Sequence, residues 1–64
     1  MNIRTGYGKQ VKVSCTDGKV FKGFYCIFTR AGDNEPEIAS LTLETPEGLI
    51  EILEPEIEAI EVLD

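Results

Sequence analysis

The stretch from Val11 to Phe28 constrains the fold most, because it encodes one tight β-hairpin. Side chains alternate along a strand, so residues opposite each other across a hairpin share a face. A two-residue Asp17-Gly18 loop would set Val13 opposite Lys22 and mix charge with the apolar face. A loop one residue longer sets Val13 opposite Phe21 and keeps the apolar residues together. The sequence therefore predicts a three-residue loop.

Two glycines fit this hairpin. A type I turn followed by a left-handed residue suits the loop Thr16-Asp17-Gly18, and Gly18 takes the positive φ without steric cost. Gly23 falls opposite Val11 inside the second strand, where glycine usually marks a bend or a close backbone approach. The second strand is therefore expected to bend.

An unbroken apolar run from Phe24 to Phe28 continues the second strand. Such a run is typical of a strand with both faces covered. In a chain of this length, the second face of the strand is covered either by a sharply curled sheet or by another subunit. The two interpretations are compatible, and the run alone does not separate them.

The 64 residues predict one domain, spanning 1–64. A domain of this size buries only about 60% of its unfolded surface, so oligomerisation is the expected reinforcement. The chain has two cysteines and no histidine, which leaves no zinc-ligand spacing. Cys15 and Cys26 fall on opposite faces in the hairpin register and are expected to be free, as suits a cytoplasmic protein. No apolar segment has signal-peptide or membrane-spanning length, so no membrane contact is predicted.

Charge is divided unevenly along the chain. All six basic residues precede Ala31, whereas eleven of the twelve acids lie at Asp33 or beyond, for a net charge of −6. One interpretation is a basic face that binds an anion. The other is two solvated faces that pair with each other, within a subunit or between neighbours, and the sequence pI near 4.4 favours it.

The second half of the chain predicts two more strands and an ambiguous tail. After a long loop over Thr29 to Glu37, a third strand places Ala39, Leu41 and Leu43 inward and Ser40, Thr42 and Glu44 outward. A type I turn over Thr45 to Gly48 and a fourth strand over Leu49 to Leu53 follow. The tail from Pro55 to Leu63 has both helical and strand character. We expect one helical turn near Pro55 to Ala59, then a short fifth strand.

These elements predict an all-β fold, a small, strongly bent five-stranded antiparallel barrel with little or no N-terminal helix. The segment from Gly8 to Phe24 resembles the first motif of Sm-like (LSm) proteins, in which alternating apolar residues precede an Asp/Asn-Gly turn and a glycine bends the next strand. The segment from Ile50 to Ile60 resembles the second motif in its apolar spacing. The resemblance implies a ring in which the fourth strand of one subunit pairs with the fifth strand of the next.

The resemblance also implies RNA binding, but the loops depart from the family pattern. Asp33-Asn34 matches the first RNA loop only loosely, and Glu54-Pro55 stands where Arg-Gly is usual. The chain offers no Ser/His or Cys/His pair for nucleophilic catalysis. A metal site among Glu51, Glu54, Glu56 and Glu58 is conceivable, but the spacing does not distinguish it from a charged face, and no metal or cofactor is predicted.

We therefore expect a non-enzymatic Sm-like barrel that acts as an oligomeric structural or protein-binding module, with an RNA-binding ring as the alternative. The candidate RNA or anion surface comprises Lys9, Lys12, Lys19, Lys22, Arg30, Asp33 and Asn34. The candidate subunit interface comprises Phe24, Cys26, Phe28, Leu49, Leu53, Ile60 and Val62. The homo-oligomer is expected to form by β-edge pairing, and the sequence names no protein partner.

Overall fold

The computed structural model describes residues 2–33 and 37–63, and within them the chain is all β, with no α-helix. One antiparallel sheet has the strand order β4-β3-β2-β1-β5. Its strands are β1 (Gln10–Cys15), β2 (Val20–Thr29), β3 (Ser40–Thr45), β4 (Gly48–Leu53) and β5 (Ile57–Val62). Two short 3₁₀ turns, Ala31–Asp33 and Glu54–Glu56, lie in the connections.

The β1–β2 hairpin has the predicted register. Val13 lies opposite Phe21 and Val11 opposite Gly23. The backbone N–H of Cys15 donates to the carbonyl of Lys19 over 2.8 Å, which closes the three-residue loop. Gly18 adopts a φ of +92°. Side-chain parity was therefore sufficient to fix this hairpin.

Gly23 lies where β2 changes partners. β2 pairs with β1 up to Phe24 and with β3 from Phe24 onward. A Cβ atom on Gly23 would lie 2.7 Å from the carbonyl oxygen of Glu44 and 3.2 Å from the Cβ of Leu43. Glycine is required here because the β3 backbone approaches too closely for a side chain.

The sheet curls around a single core. Buried side chains come from all five strands: Val11, Val13 and Cys15, then Tyr25, Leu41, Leu43, Ile52 and Ile57. No helix of the described residues covers the sheet, so the inner faces of the strands cover one another. The sheet is nevertheless not closed: β4 and β5 are its two edges and do not pair with each other. A five-stranded antiparallel sheet is confirmed, whereas the closed barrel is not.

The apolar run on β2 is covered on one face only. Tyr25 is fully buried, but Phe24 remains 36% exposed and Ile27 46% exposed. The register with β3 shifts between Tyr25 and Ile27. Curling of the sheet therefore accounts for the inner face and leaves the outer face of this run open.

Two local details differ from the expectation. Ser40 shares a face with Thr42 and Glu51, as its parity predicts, but it is completely buried there, and its hydroxyl donates to Glu51 Oε2 over 2.7 Å. The helical turn expected near Pro55 to Ala59 is a shorter 3₁₀ turn over Glu54–Glu56, and β5 begins at Ile57. Ile57 joins the strand because its side chain enters the core opposite Cys15.

The connection after β2 also has different limits from those expected. β2 continues through Thr29, and a 3₁₀ turn follows at Ala31–Asp33, so the predicted loop over Thr29 to Glu37 is shorter at its start. At the other end of the chain, β5 stops at Val62, and the Leu63 N–H still donates to the Gln10 carbonyl over 2.9 Å.

Candidate functional site

The two edge strands carry four of the predicted interface residues. Leu49 and Leu53 lie on β4, and Ile60 and Val62 lie on β5. Leu49 is 65% exposed and Val62 37% exposed, whereas Leu53 and Ile60 are half-buried. An open sheet edge presents backbone N–H and C=O groups that can pair with another strand. Both edges therefore combine exposed apolar side chains with a template for strand addition.

The other three predicted interface residues lie on the central strand β2. Phe24 is on the outer face, next to Glu44 of β3. The Cys26 thiol donates to the Thr42 carbonyl with a sulfur-to-oxygen distance of 3.5 Å. Phe28 packs against the core, and the Arg4 guanidinium lies 4.8 Å from the centre of its ring. The structure thus separates these residues from the edges and gives Cys26 and Phe28 contacts within the chain.

The predicted basic residues lie on several elements, and Lys12 and Lys22 are direct cross-strand neighbours. Lys12 on β1 lies between Lys22 on β2 and Glu61 on β5. Its Nζ is 3.5 Å from Glu61 Oε1. Lys19 is in the β1–β2 connection and Lys9 precedes β1. Glu61 is therefore a cross-strand neighbour in line with Lys12 and Lys22.

Arg30 also has an acidic partner. Its Nε lies 3.3 Å from Asp33 Oδ2, across the 3₁₀ turn that follows β2. Asn34, the last predicted member of this surface, lies outside the described residues. The Lys12–Glu61 pair joins the basic half to the acidic half within a subunit, whereas Arg30–Asp33 is a local contact between residues three apart.

An aromatic cluster near the N-terminus was not predicted from the sequence. The rings of Tyr7 and Tyr25 meet edge to face, with centroids 5.4 Å apart. The Tyr25 hydroxyl donates to the Ile3 carbonyl over 2.8 Å. Backbone hydrogen bonds of 2.9 Å join Tyr25 to Gly8 and to Lys9. These contacts with Tyr25 hold the N-terminal segment against β2.

Burial raises the pKa of the Tyr25 phenol to about 12; Arg4 lowers this pKa and Tyr7 raises it. Tyr25 is therefore a neutral hydrogen-bond donor at physiological pH. Its hydroxyl is structural and cannot act as a base there.

The two thiols are free. Cys15 is buried and Cys26 is half-buried. Burial raises the pKa of the Cys15 thiol, Asp17 and Glu56 raise it further, and Lys19 opposes them. A thiol with a raised pKa is a weak nucleophile at neutral pH.

Residues 2–33 and 37–63 contain no group of three or more cysteine or acidic side chains placed to hold a metal ion. Within the same residues, no helix has the length and apolar character needed to cross a bilayer.

The chain matches no family model, no curated protein and no solved structure.

Proposed function

We propose that this chain is a non-enzymatic, Sm-like binding module that assembles with copies of itself by pairing β4 of one subunit with β5 of the next. The observation that carries the proposal is the strand order, which leaves these two strands as the edges of one sheet. The resemblance to Sm-like proteins implies the same pairing. Because the two edges differ, the contact is head-to-tail and closes into a ring when the rotation between subunits allows.

The composition of the edges supports strand addition. Both strands are six residues long, so each matches the other in length. Exposed Leu49 and Val62 would bury apolar surface on pairing, a gain of about 25 cal/mol for each Å² removed from water. The outer-face residues Phe24 and Ile27 remain available to neighbouring subunits.

Negative charge on the edges opposes the assembly and gives it a salt dependence. Glu51 lies on β4, and Glu58 and Glu61 lie on β5. Glu51 accepts a hydrogen bond from Ser40, and Glu61 pairs with Lys12, so contacts within the chain orient two of these acids. Like charges placed opposite each other across strands are destabilising, and salt screens them. Assembly should therefore strengthen as ionic strength rises.

Sedimentation equilibrium of edge variants tests the proposal. Leu49→Glu on β4 and Val62→Glu on β5 each place a charge on one edge, and each should weaken the association at least about tenfold, or about 1.4 kcal/mol. Val20→Glu is the matched control, because Val20 is 53% exposed on β2, outside both edge strands β4 and β5.

Circular dichroism verifies that all three variants keep the fold. If the edge variants associate as strongly as Val20→Glu, the assembly does not use these edges.

A further inference from the structure

The first half of β2 has a strand on only one side. Cys15 donates to the carbonyl of Lys19, and Tyr25 donates to the carbonyl of Lys9, so every second residue of β2 bonds to β1. In an antiparallel ladder the residues between them direct their N–H and C=O groups to the opposite side. Pairing with β3 begins only at Phe24. Among the described residues, no strand therefore pairs with Val20 and Lys22 on that side.

A groove runs beside this unpaired half of β2. Two adjoining cavities share Phe21 and Ile50 in their walls. The larger one, about 460 Å³, extends along Val20 and Lys22 toward the β3–β4 turn. The smaller one, about 180 Å³, has an apolar floor that includes Cys15 and Ile52. An apolar cavity of about 150 Å³ can hold benzene, so the smaller cavity has room for one aliphatic side chain.

The rim of the smaller cavity is acidic. Asp17, Glu51 and Glu56 line it together with a single cation, Lys19. Contacts within the chain orient each carboxylate. Asp17 accepts from the Lys19 N–H over 3.0 Å, Glu51 from the Ser40 hydroxyl over 2.7 Å, and Glu56 from the Leu53 N–H over 3.3 Å. The rim therefore favours a ligand that is cationic beside its apolar group.

We propose that this groove binds an extended peptide segment of a partner protein by strand addition to Val20–Lys22. The segment places one aliphatic side chain between Phe21 and Ile50 and an adjacent arginine or lysine against the acidic rim. Main-chain hydrogen bonds supply affinity in this recognition mode, and alternate side chains supply specificity. The site goes beyond the proposed assembly, because the peptide pairs with Val20–Lys22 of β2, whereas the subunits pair through the backbone of β4 and β5. β4 contributes only side chains, such as Ile50 and Glu51, to the groove wall.

Fluorescence anisotropy with a short labelled peptide tests the site. In the probe, isoleucine alternates with threonine and each end carries arginine. A counterpart ends in glutamate, and two further versions carry N-methyl groups on either the isoleucines or the threonines. In strand addition only every second residue of the peptide donates its N–H to β2. One of the two methylated peptides therefore loses these donors and should bind at least about tenfold more weakly than the other.

Charge variants test the rim. Glu51→Gln/Glu56→Gln removes two charges and keeps an acceptor oxygen at each position, and it should weaken binding of the arginine peptide at least about fivefold. Glu37→Gln/Glu58→Gln removes the same charge from exposed positions outside the cavity and should leave binding unchanged.

Three results would overturn the proposal: equal binding of both methylated peptides, equal binding of the glutamate-ended peptide, or no binding by any of them. The Val62→Glu variant should keep full peptide affinity, because Val62 lies on β5, away from the groove. A chain that is monomeric yet binds the peptide would refute the proposed assembly and leave this inference standing.

Discussion

The Tyr25 hydroxyl donates a 2.8 Å hydrogen bond to the carbonyl oxygen of Ile3, and both residues are buried. This bond ties the N-terminal segment to the central strand, 22 residues away along the chain. It also makes the fold sensitive to alkaline pH, because the bond requires a protonated phenol.

Stability should fall as the pH rises from 10 toward about 12. The pKa of Tyr25 is raised from 10.0 to about 12, so the folded chain holds this proton more tightly than the unfolded chain. The resulting stabilisation is complete below pH 10 and is lost as the pH passes through the folded pKa. The slope contributed by this group is at most about 1.4 kcal/mol per pH unit.

Urea denaturation across this pH range measures the slope in wild type and in two variants. Tyr25→Phe cannot ionise, so its stability should decline less steeply with pH, after an initial loss of about 1 kcal/mol for the missing hydrogen bond. Tyr7→Phe removes the smaller contribution of Tyr7 to the raised pKa of Tyr25 and keeps its burial, so it should reduce the slope less than Tyr25→Phe does. An unchanged slope in Tyr25→Phe would show that another group causes the alkaline loss.

The β1–β2 loop should not tolerate a branched side chain at Gly18. Its φ of +92° is strained for any residue with a Cβ and most strained for a β-branched one. Gly18→Val should lower the free energy of unfolding by at least about 1 kcal/mol. Gly32→Val is the control, because a Cβ at Gly32 meets nothing within 4 Å and its φ is ordinary. Equal melting temperatures for the two variants would contradict the loop assignment.

Gly23 is limited by space, since its φ is not in the left-handed region. An added methyl group meets the Glu44 carbonyl oxygen, which belongs to the β2–β3 ladder and has little freedom to move. Gly23→Ala should destabilise the fold by about 1–3 kcal/mol, as overpacking does in other proteins. Thermal melts beside Gly32→Ala provide the comparison, and a neutral Gly23→Ala would mean that β3 can move away from β2.

RNA binding should be weak, because the chain carries a net charge of −6 and an acid pairs with Lys12 and with Arg30. We expect dissociation constants above about 1 μM for oligo-A and oligo-U at about 150 mM salt. A submicromolar affinity that disappears in Lys12→Glu/Lys22→Glu would contradict this expectation. That result would indicate a basic surface made continuous by neighbouring subunits.

The sequence predicted the features that depend on local pattern. Parity within the stretch from Val11 to Phe28 was enough to place the hairpin loop and Gly23, because each wrong register mixes charge with apolar side chains. The tail was assigned incorrectly at Ile57, whose place in β5 depends on contact with Cys15 in a distant strand. The spacing of Ile57, Ile60 and Leu63 is compatible with both helix and strand.

The contacts of the site residues were also harder to predict, because they join segments that are distant in the sequence. The contact of Arg4 with Phe28 joins segments that no periodicity connects. The Lys12–Glu61 pair depends on β5 returning beside β1, which a count of charges along the chain does not reveal. The groove between Phe21 and Ile50 exists because β3 pairs with only the second half of β2.

The mass of the protein in solution tests the central claim most directly. Light scattering at about 50 μM protein, repeated as the salt concentration is raised, should give a mass several times the 7.1 kDa of one chain and an association that strengthens with salt. A stable species of 7.1 kDa at every salt concentration would contradict assembly through the β4 and β5 edges.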